Sequence, residues 1–134
     1  MKTLYLASFL EPENFGPGRV IGIANGQKPL HIDVQVVFKH LVPPSDLIKR
    51  YRNISLKGEK KEASKMFVKE YSMMLNKFEK DVKEDAKKQG KEPVDILPFE
   101  DGDTLASWER EKFTNYRKLI SPVLKRLGFN VILK

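Results

Sequence analysis

The sequence predicts a single α/β domain with a mainly parallel sheet. Short apolar runs typical of strands alternate along the chain with longer segments that have helical periodicity. Strands separated by helices favour parallel pairing through crossover connections. The chain has 134 residues and 40% of them are hydrophobic, which suits one domain with one core. No internal repeat or low-complexity linker divides it.

The first part of the chain supplies three predicted strands. Residues 3–9 combine leucines with a β-favouring tyrosine, and residues 20–24 are a continuous apolar run typical of a strand buried on both faces. Residues 10–19 between them contain two prolines and two glycines, which predicts a loop. Apolar and polar residues alternate within residues 31–41, which predicts a third strand.

Two helices are predicted in the middle of the chain. Ser45 is expected to cap a short helix at residues 46–52. A long helix is expected at residues 61–88, where aromatic and aliphatic side chains recur at three- and four-residue steps. Gly90 is a suitable end for this helix, because glycine readily adopts the left-handed conformation of a C-terminal cap.

The last third is predicted to form a strand, an acidic turn, a second long helix and a closing strand. These elements occupy, in order, residues 94–99, 100–103, 104–120 and 129–134. Ser121 followed by Pro122 indicates that the second helix restarts or kinks there, and Gly128 is expected to end it.

The composition excludes several classes of chemistry. The chain contains no cysteine, which excludes disulfides, thiolate nucleophiles and cysteine-ligated zinc and favours an intracellular setting. His31 and His40 are the only histidines, so a multi-histidine metal site is excluded, and both are interpreted as structural. Neither a signal peptide nor a run of about 20 apolar residues is present, so we expect a cytoplasmic protein without membrane contact.

The net charge favours anionic partners. Twenty-five basic residues against 18 acidic ones give +7, which suits an anionic small molecule or a nucleic acid. Residues 57–92 contain 11 lysines and 8 acids. A solvated helix face and a binding surface both explain this mixture.

The acidic turn is the first candidate site. Ligands of open parallel sheets bind at the carboxyl ends of the strands, and the predicted strand at residues 94–99 ends directly before Glu100. A carboxylate there could act as a general base or bind a hydroxyl group. Asp101 and Asp103 either join this pocket or cap the helix that follows. Closely spaced carboxylates also suit Mg²⁺, but the spacing is not that of a calcium loop and adjacent acids are common in turns, so no metal site is predicted.

Cationic and aromatic residues give further candidates. Arg19 and Lys28 lie in glycine-containing loops that lack a phosphate-loop motif, and they either bind an anion or are exposed charges. Arg117 lies at the border of an apolar helix face, where it either forms an ion pair or faces a pocket. Trp108 and Tyr116 are interpreted as core or rim aromatics rather than as a stacking platform.

The order of several segments resembles the family catalogued as domain of unknown function 488. The segments are "VIGIANGQKP", "FKHLVPPSDLIKRY", "FVKEYSMML", "ILPFE" and "NYRKLISPVLKRLGFNV". The resemblance covers nearly the whole chain and implies a compact, three-layer, Rossmann-like fold. It implies no settled activity.

The chain departs from the pattern of that family at its reactive positions. Asn25 stands where the family has an arginine, Pro98 where it has a cysteine, and Asn115, Tyr116 and Arg117 where it has Cys-His-Arg. Thiol- or histidine-dependent chemistry of the family therefore cannot operate here. The resemblance adds Asn25 and Tyr116 to the candidate ligand-binding positions and retains Arg117, while Glu100 keeps its place at the end of "ILPFE".

We expect a domain that binds a phosphate-bearing ligand, a nucleotide or a nucleic-acid end, at the carboxyl edge of the sheet. Glu100 would be the catalytic or hydroxyl-binding acid. The expected ligand-binding residues are Arg117, Asn25, Lys28, Arg19, Tyr116 and Asp101. Two alternatives stay open: a nucleoside N-glycosidic-bond hydrolase or transferase that uses Glu100, and a basic module that binds nucleic acid or protein. No cofactor is expected, and the oligomeric state is left open.

Overall fold

The computed structural model describes residues 1–24, 32, 34, 36–108 and 116–134. These residues form an α/β fold around a five-stranded sheet with the strand order β3-β2-β4-β1-β5. The strands are β1 (Thr3–Ser8), β2 (Val20–Gly22), β3 (Val36–Val37), β4 (Thr104–Ser107) and β5 (Asn130–Leu133). The helices are α1 (Ser45–Leu56), α2 (Lys60–Gln89), α3 (Pro93–Ile96) and α4 (Arg117–Arg126), with 3-10 turns at Pro12–Asn14 and Lys39–Leu41.

All pairings of the sheet are parallel, so the predicted fold class is confirmed. β1 and β4 are central: Leu6 lies opposite Leu105 on one side and opposite Leu133 on the other. Ile21 of β2 also lies opposite Leu105. Each strand is separated from its parallel neighbour by a crossover segment, as parallel pairing requires.

The two faces of the sheet are covered differently. Alternate strand residues Leu4, Leu6 and Leu105 belong to the large core with Phe67 and Tyr71 of α2. Residues of α1 and α4 belong to the same core, so the long helices of the described chain pack on one face. A smaller cluster on the opposite face comprises Phe9, Val34, Ala106, Phe15, Val20, Ile32 and Trp108. In the described chain that second face is therefore covered by non-helical residues.

The long helix α2 confirms the prediction made for residues 61–88. Its apolar residues repeat with helical spacing, and Phe67, Tyr71 and Leu75 are buried. The Tyr71 hydroxyl donates a hydrogen bond to the backbone carbonyl of Leu41. Gly90 ends the helix with φ 66°, the left-handed geometry that glycine accommodates without steric cost.

The strand predicted at residues 94–99 is wrong. Pro93 begins the short helix α3 instead, because proline suits the first position of a helix and cannot donate to a sheet ladder. Leu97 and Phe99 still reach the core, which explains the apolar run. An apolar run of this length does not by itself distinguish a strand from other buried structure.

The helix predicted at residues 104–120 is wrong at its start. Thr104–Ser107 is the central strand β4, buried at all four positions. Its sequence, Thr-Leu-Ala-Ser, has a weak intrinsic strand preference, so pairing with β1 and β2 decides its conformation. α4 begins at Arg117 and continues through Pro122, so no new helix begins at Ser121. Gly128 follows its end with φ 107°.

Two smaller predictions are also corrected. Ser45 is the first residue of α1 and not its cap, because Pro44 occupies the cap position and the helix has no side-chain cap. Of the predicted third strand, the described residues form strand only at Val36–Val37, followed by a 3-10 turn.

Leu105→Ala should test the burial of β4. Leu105 is 0% exposed and contacts the large core, so its truncation should lower the free energy of unfolding by about 2–5 kcal/mol. Leu133→Ala on the edge strand β5 is the matched control. Because Leu133 is 41% exposed, this substitution should lower the free energy of unfolding by less than about 1 kcal/mol. Urea denaturation measures both, and equal losses would contradict a central position for β4.

Candidate functional site

The acidic turn at residues 100–103 lies at the amino edge of the sheet and not, as predicted, at the carboxyl edge. β4 begins directly after it, at Thr104, and the first residues of β1 lie beside it. Because residues 94–99 are not a strand, the turn leads into a strand rather than out of one. The prediction that Glu100 directly follows the carboxyl end of a strand is therefore wrong.

Asp103 is the buried carboxylate of this turn, with 1% of its surface exposed. Arg19 donates to it from the backbone amide at 3.0 Å, from Nε at 3.3 Å and from Nη2 at 2.7 Å, and the Glu100 amide donates at 2.8 Å. Burial acts to raise the pKa of the Asp103 carboxyl, but these hydrogen bonds outweigh it, so the pKa lies below its ordinary value. Asp103 thus joins the approaches to two strands and does not cap a helix.

Arg19, a predicted anion-binding residue, is engaged in this network. Its Nη2 donates to Asp103 and also to the Pro98 carbonyl at 2.9 Å. The neighbouring glycine has a packing reason: a Cβ on Gly18 would lie 2.8 Å from the carbonyl carbon of Gly102. An anion bound to Arg19 would have to compete with Asp103. We therefore interpret Arg19 as structural.

The remaining acids of the turn differ in their contacts. Asp101 is exposed, and its Oδ1 accepts a hydrogen bond from the Thr3 amide at 2.7 Å, at the start of β1. Glu100 is exposed, and among the described residues none donates a hydrogen bond to its carboxylate. A catalytic acid is normally surrounded by converging groups, and the carboxylate of Glu100 lacks them within the described chain.

The topology of the sheet predicts a ligand crevice at the carboxyl ends of β1 and β4. These strands are neighbours, but their connections run over opposite faces: the β1–β2 loop carries Phe15 of the smaller cluster, and the β4–β5 connection contains α4. Such a divergence creates the crevice in which open parallel sheets bind ligands. The strands end in Ser8 and Ser107, both buried, and the Ser8 hydroxyl accepts from the Leu10 amide at 3.1 Å. Sequence reasoning missed both serines.

The start of α4 lies over this edge. The Tyr116 hydroxyl donates to the Ile23 carbonyl, just past β2, at 2.9 Å. Arg117 Nη1 donates to the Lys134 carbonyl, just past β5, at 3.1 Å, and the Lys134 amide donates to the Leu6 carbonyl of β1 at 2.9 Å. Two predicted site residues, Tyr116 and Arg117, are therefore brought to the carboxyl edge, while Arg19, Glu100 and Asp101 lie at the opposite one.

Arg117 and Tyr116 are both buried, at 7% and 4% exposure. The ring of Tyr116 packs edge-on against Tyr71 with centroids 5.3 Å apart, which confirms its interpretation as a core aromatic. Arg117 is the first residue of α4, where the helix dipole is positive and opposes a cation. A guanidinium and the first backbone N–H groups of a helix are both groups that can bind an anion.

The structure describes only some of the remaining residues that the sequence analysis singled out. Asn25 and Lys28 lie outside the described residues, although Ile23 and Ala24 just before them are at the carboxyl edge. Trp108 packs against Phe9 with ring centroids 5.2 Å apart, a rim or core role as predicted.

The histidines and acids show no grouping typical of a metal site. His31 lies outside the described residues, whereas the His40 ring stacks on Phe78 at 6.3 Å. Across the part of the chain that the structure describes, no three acidic or histidine side chains are grouped as metal ligands are. Over the same residues, no helix has the length and apolar character needed to cross a membrane.

Comparison with protein-family models, with curated proteins and with solved structures gave no match to this chain. The resemblance to domain of unknown function 488 therefore stays a prediction.

Asp103→Asn should destabilise the protein in a pH-dependent manner. The substitution removes the charge that binds Arg19, which should lower the free energy of unfolding by about 2–3 kcal/mol near neutral pH. Because the folded-state pKa of Asp103 is lowered, its contribution is present above the unfolded value of about 4 and is lost as the pH falls through the folded-state pKa. The difference between wild type and variant should shrink below about pH 4.

Urea denaturation at a series of pH values measures this difference. Asp101→Asn is the matched control, since Asp101 is exposed and accepts one amide, and it should change stability by less than about 1 kcal/mol. A loss for Asp103→Asn that is equally large at about pH 3 and pH 7 would contradict the charge-based account.

Proposed function

We propose that the protein binds a phosphate-bearing ligand, a nucleotide or the end of a nucleic acid, at the carboxyl edge of its sheet. Arg117 is the anion-binding residue of this proposal. The observation that carries it is a buried guanidinium in the first turn of α4, at the sheet edge where the connections of β1 and β4 diverge.

The chemistry of Arg117 favours phosphate over other ligands. A guanidinium presents planar pairs of N–H donors that match two phosphate oxygens, and it is always charged. At 7% exposure its charge is poorly screened by solvent, so an anion in contact with it would be held more strongly than at the surface. The helix N-terminus adds backbone N–H groups without acceptors in the helix.

Neighbouring residues supply further polar groups. Ser8 and Ser107 end the two central strands, and serine hydroxyls can donate to phosphate or ribose oxygens. Asn25 and Lys28 follow β2 in the sequence, and Tyr116 is hydrogen-bonded to Ile23, the residue directly after that strand. These two residues are retained as ligand-binding candidates for that reason.

The glycosidase alternative has no observation in its favour. It requires Glu100 as nucleophile or general base, yet Glu100 is exposed at the amino edge, across the sheet from Arg117. A phosphate group bound at Arg117 would leave the reacting bond far from that carboxylate. Binding is therefore the function we propose, and catalysis is not part of it.

Thermal denaturation with nucleoside monophosphates, the matching nucleosides and inorganic phosphate tests the proposal. A phosphate-bearing ligand at about 100 times its Kd should stabilise the wild type by about 2.7 kcal/mol, whereas nucleosides should have little effect. Arg117→Gln should abolish the ligand-induced shift, and Arg117→Lys should keep part of it. Each shift is measured against the same variant without ligand, because substitution of a buried arginine also lowers intrinsic stability.

Glu100→Gln separates the two edges of the sheet. This variant should keep the whole ligand-induced shift, since Glu100 is at the amino edge. Loss of the shift in Glu100→Gln, or equal stabilisation by nucleosides and nucleotides, would contradict a phosphate site at Arg117.

A further inference from the structure

The lysines of α2 are concentrated on one side of the helix. Along its 30 residues, six lysines follow one another at steps of four, four, eleven, three and four residues, which keeps them on one side at 3.6 residues per turn. They are Lys61, Lys65, Lys69, Lys80, Lys83 and Lys87. We call this set the α2 lysine stripe.

The acids of α2 are divided between the stripe side and the other sides of the helix, and several of them form ion pairs. Glu70 pairs with Arg50 of α1 at 2.7 Å, and Asp81 pairs with Lys77 at 3.5 Å. Glu79 lies on the stripe side of the helix and is bound at 2.8 Å both by Arg126 and by Lys83 of the stripe. In the described chain, the ion pairs that form within α2 are therefore confined to its second half.

The first three lysines of the stripe carry charge that is not neutralised nearby. In the described chain, no carboxylate lies within ion-pair distance of Lys61, Lys65 or Lys69. They are spaced one turn apart, and like charges at this spacing repel and weaken a helix. A partner with repeated negative charges would relieve that repulsion.

The same lysines surround a shallow surface depression of about 450 Å³. Ser64 and Val68 complete its lining, and Val68 is 41% exposed. Successive lysines rise about 6 Å along the helix axis, so the depression has cations along its length rather than at one point. This arrangement suits an extended anion better than a compact one.

We propose that the α2 lysine stripe binds the phosphate backbone of a single nucleic-acid strand. The charge complementarity is between a line of ammonium groups and a line of phosphates, and lysine contacts to phosphate carry no base specificity. A membrane surface fits less well, because the exposed apolar residues of α2, Val68 and Met73, lie on different sides of the helix and form no strip that could insert. This interaction goes beyond the Arg117 site and does not depend on it.

Binding of a labelled single-stranded oligonucleotide, followed by fluorescence anisotropy across a salt series, tests the proposal. The triple variant Lys61→Gln, Lys65→Gln, Lys69→Gln should lower the slope of log K against log salt by about 2, at about 0.7 per lost phosphate contact. If all three lysines contact phosphate, this decrease in slope corresponds to roughly 50-fold weaker binding at 0.15 M salt. The three side chains are on the surface, and circular dichroism and thermal denaturation should show an unchanged fold.

A charge-matched control uses three exposed lysines off the stripe: Lys49→Gln, Lys77→Gln and Lys88→Gln. This variant should bind the oligonucleotide with nearly the wild-type slope. Equal losses in the two triple variants, or no binding by the wild type at low salt, would overturn the proposal. So would stripe-dependent binding to an acidic peptide or to anionic vesicles without binding to the oligonucleotide. The triple stripe variant should keep the thermal shift produced by a nucleoside monophosphate, so failure of the stripe proposal is distinct from failure of the Arg117 site.

Discussion

The hydrogen bonds of the buried Asp103 carboxylate are the constraint on which the sheet depends most. Arg19 and the Glu100 amide donate to it, so the loop before β2 and the turn before β4 are joined where the two strands begin to pair. Asp101 adds a hydrogen bond to the Thr3 amide at the start of β1. The acids that suggest function in the sequence therefore fix the amino ends of three parallel strands. A buried carboxylate with this many donors stays ionised and holds its partners in place.

Asp103 and Asp101 are engaged in hydrogen bonds at the amino edge. The groups suited to an anionic ligand lie at the carboxyl edge and on α2. Phe67, which lies between Lys65 and Lys69, has its ring centroid 6.3 Å from that of Tyr116, the residue before Arg117. The first half of α2 and the start of α4 are thus adjacent. Phe67 is on the buried side of α2, roughly opposite the α2 lysine stripe, so the two proposed sites face different sides of that helix and each is testable alone.

The sequence predicts α2 well because its periodicity extends over 30 residues and ends in a glycine with an identifiable role. It fails between residues 94 and 107, where an apolar run resembles a strand and the true strand, Thr104–Ser107, has little strand preference of its own. That strand forms because both neighbours pair with it, a long-range cause that local patterns do not carry. The same error moved Glu100 to the wrong edge. Arg117 was predicted at the border of a long helix face, whereas it is buried at the first position of α4, because the chain before it forms β4.

The central claim is that ligand binds at the carboxyl edge and not at the acidic turn. Titration of the ¹⁵N-labelled protein with a nucleoside monophosphate, followed by amide chemical shifts, tests this directly. The account predicts that the largest changes occur in the first turn of α4 and in the residues after β1 and β4, while the amides of residues 100–103 stay unchanged. Changes concentrated at residues 100–103 and at Arg19, with α4 unaffected, would contradict it.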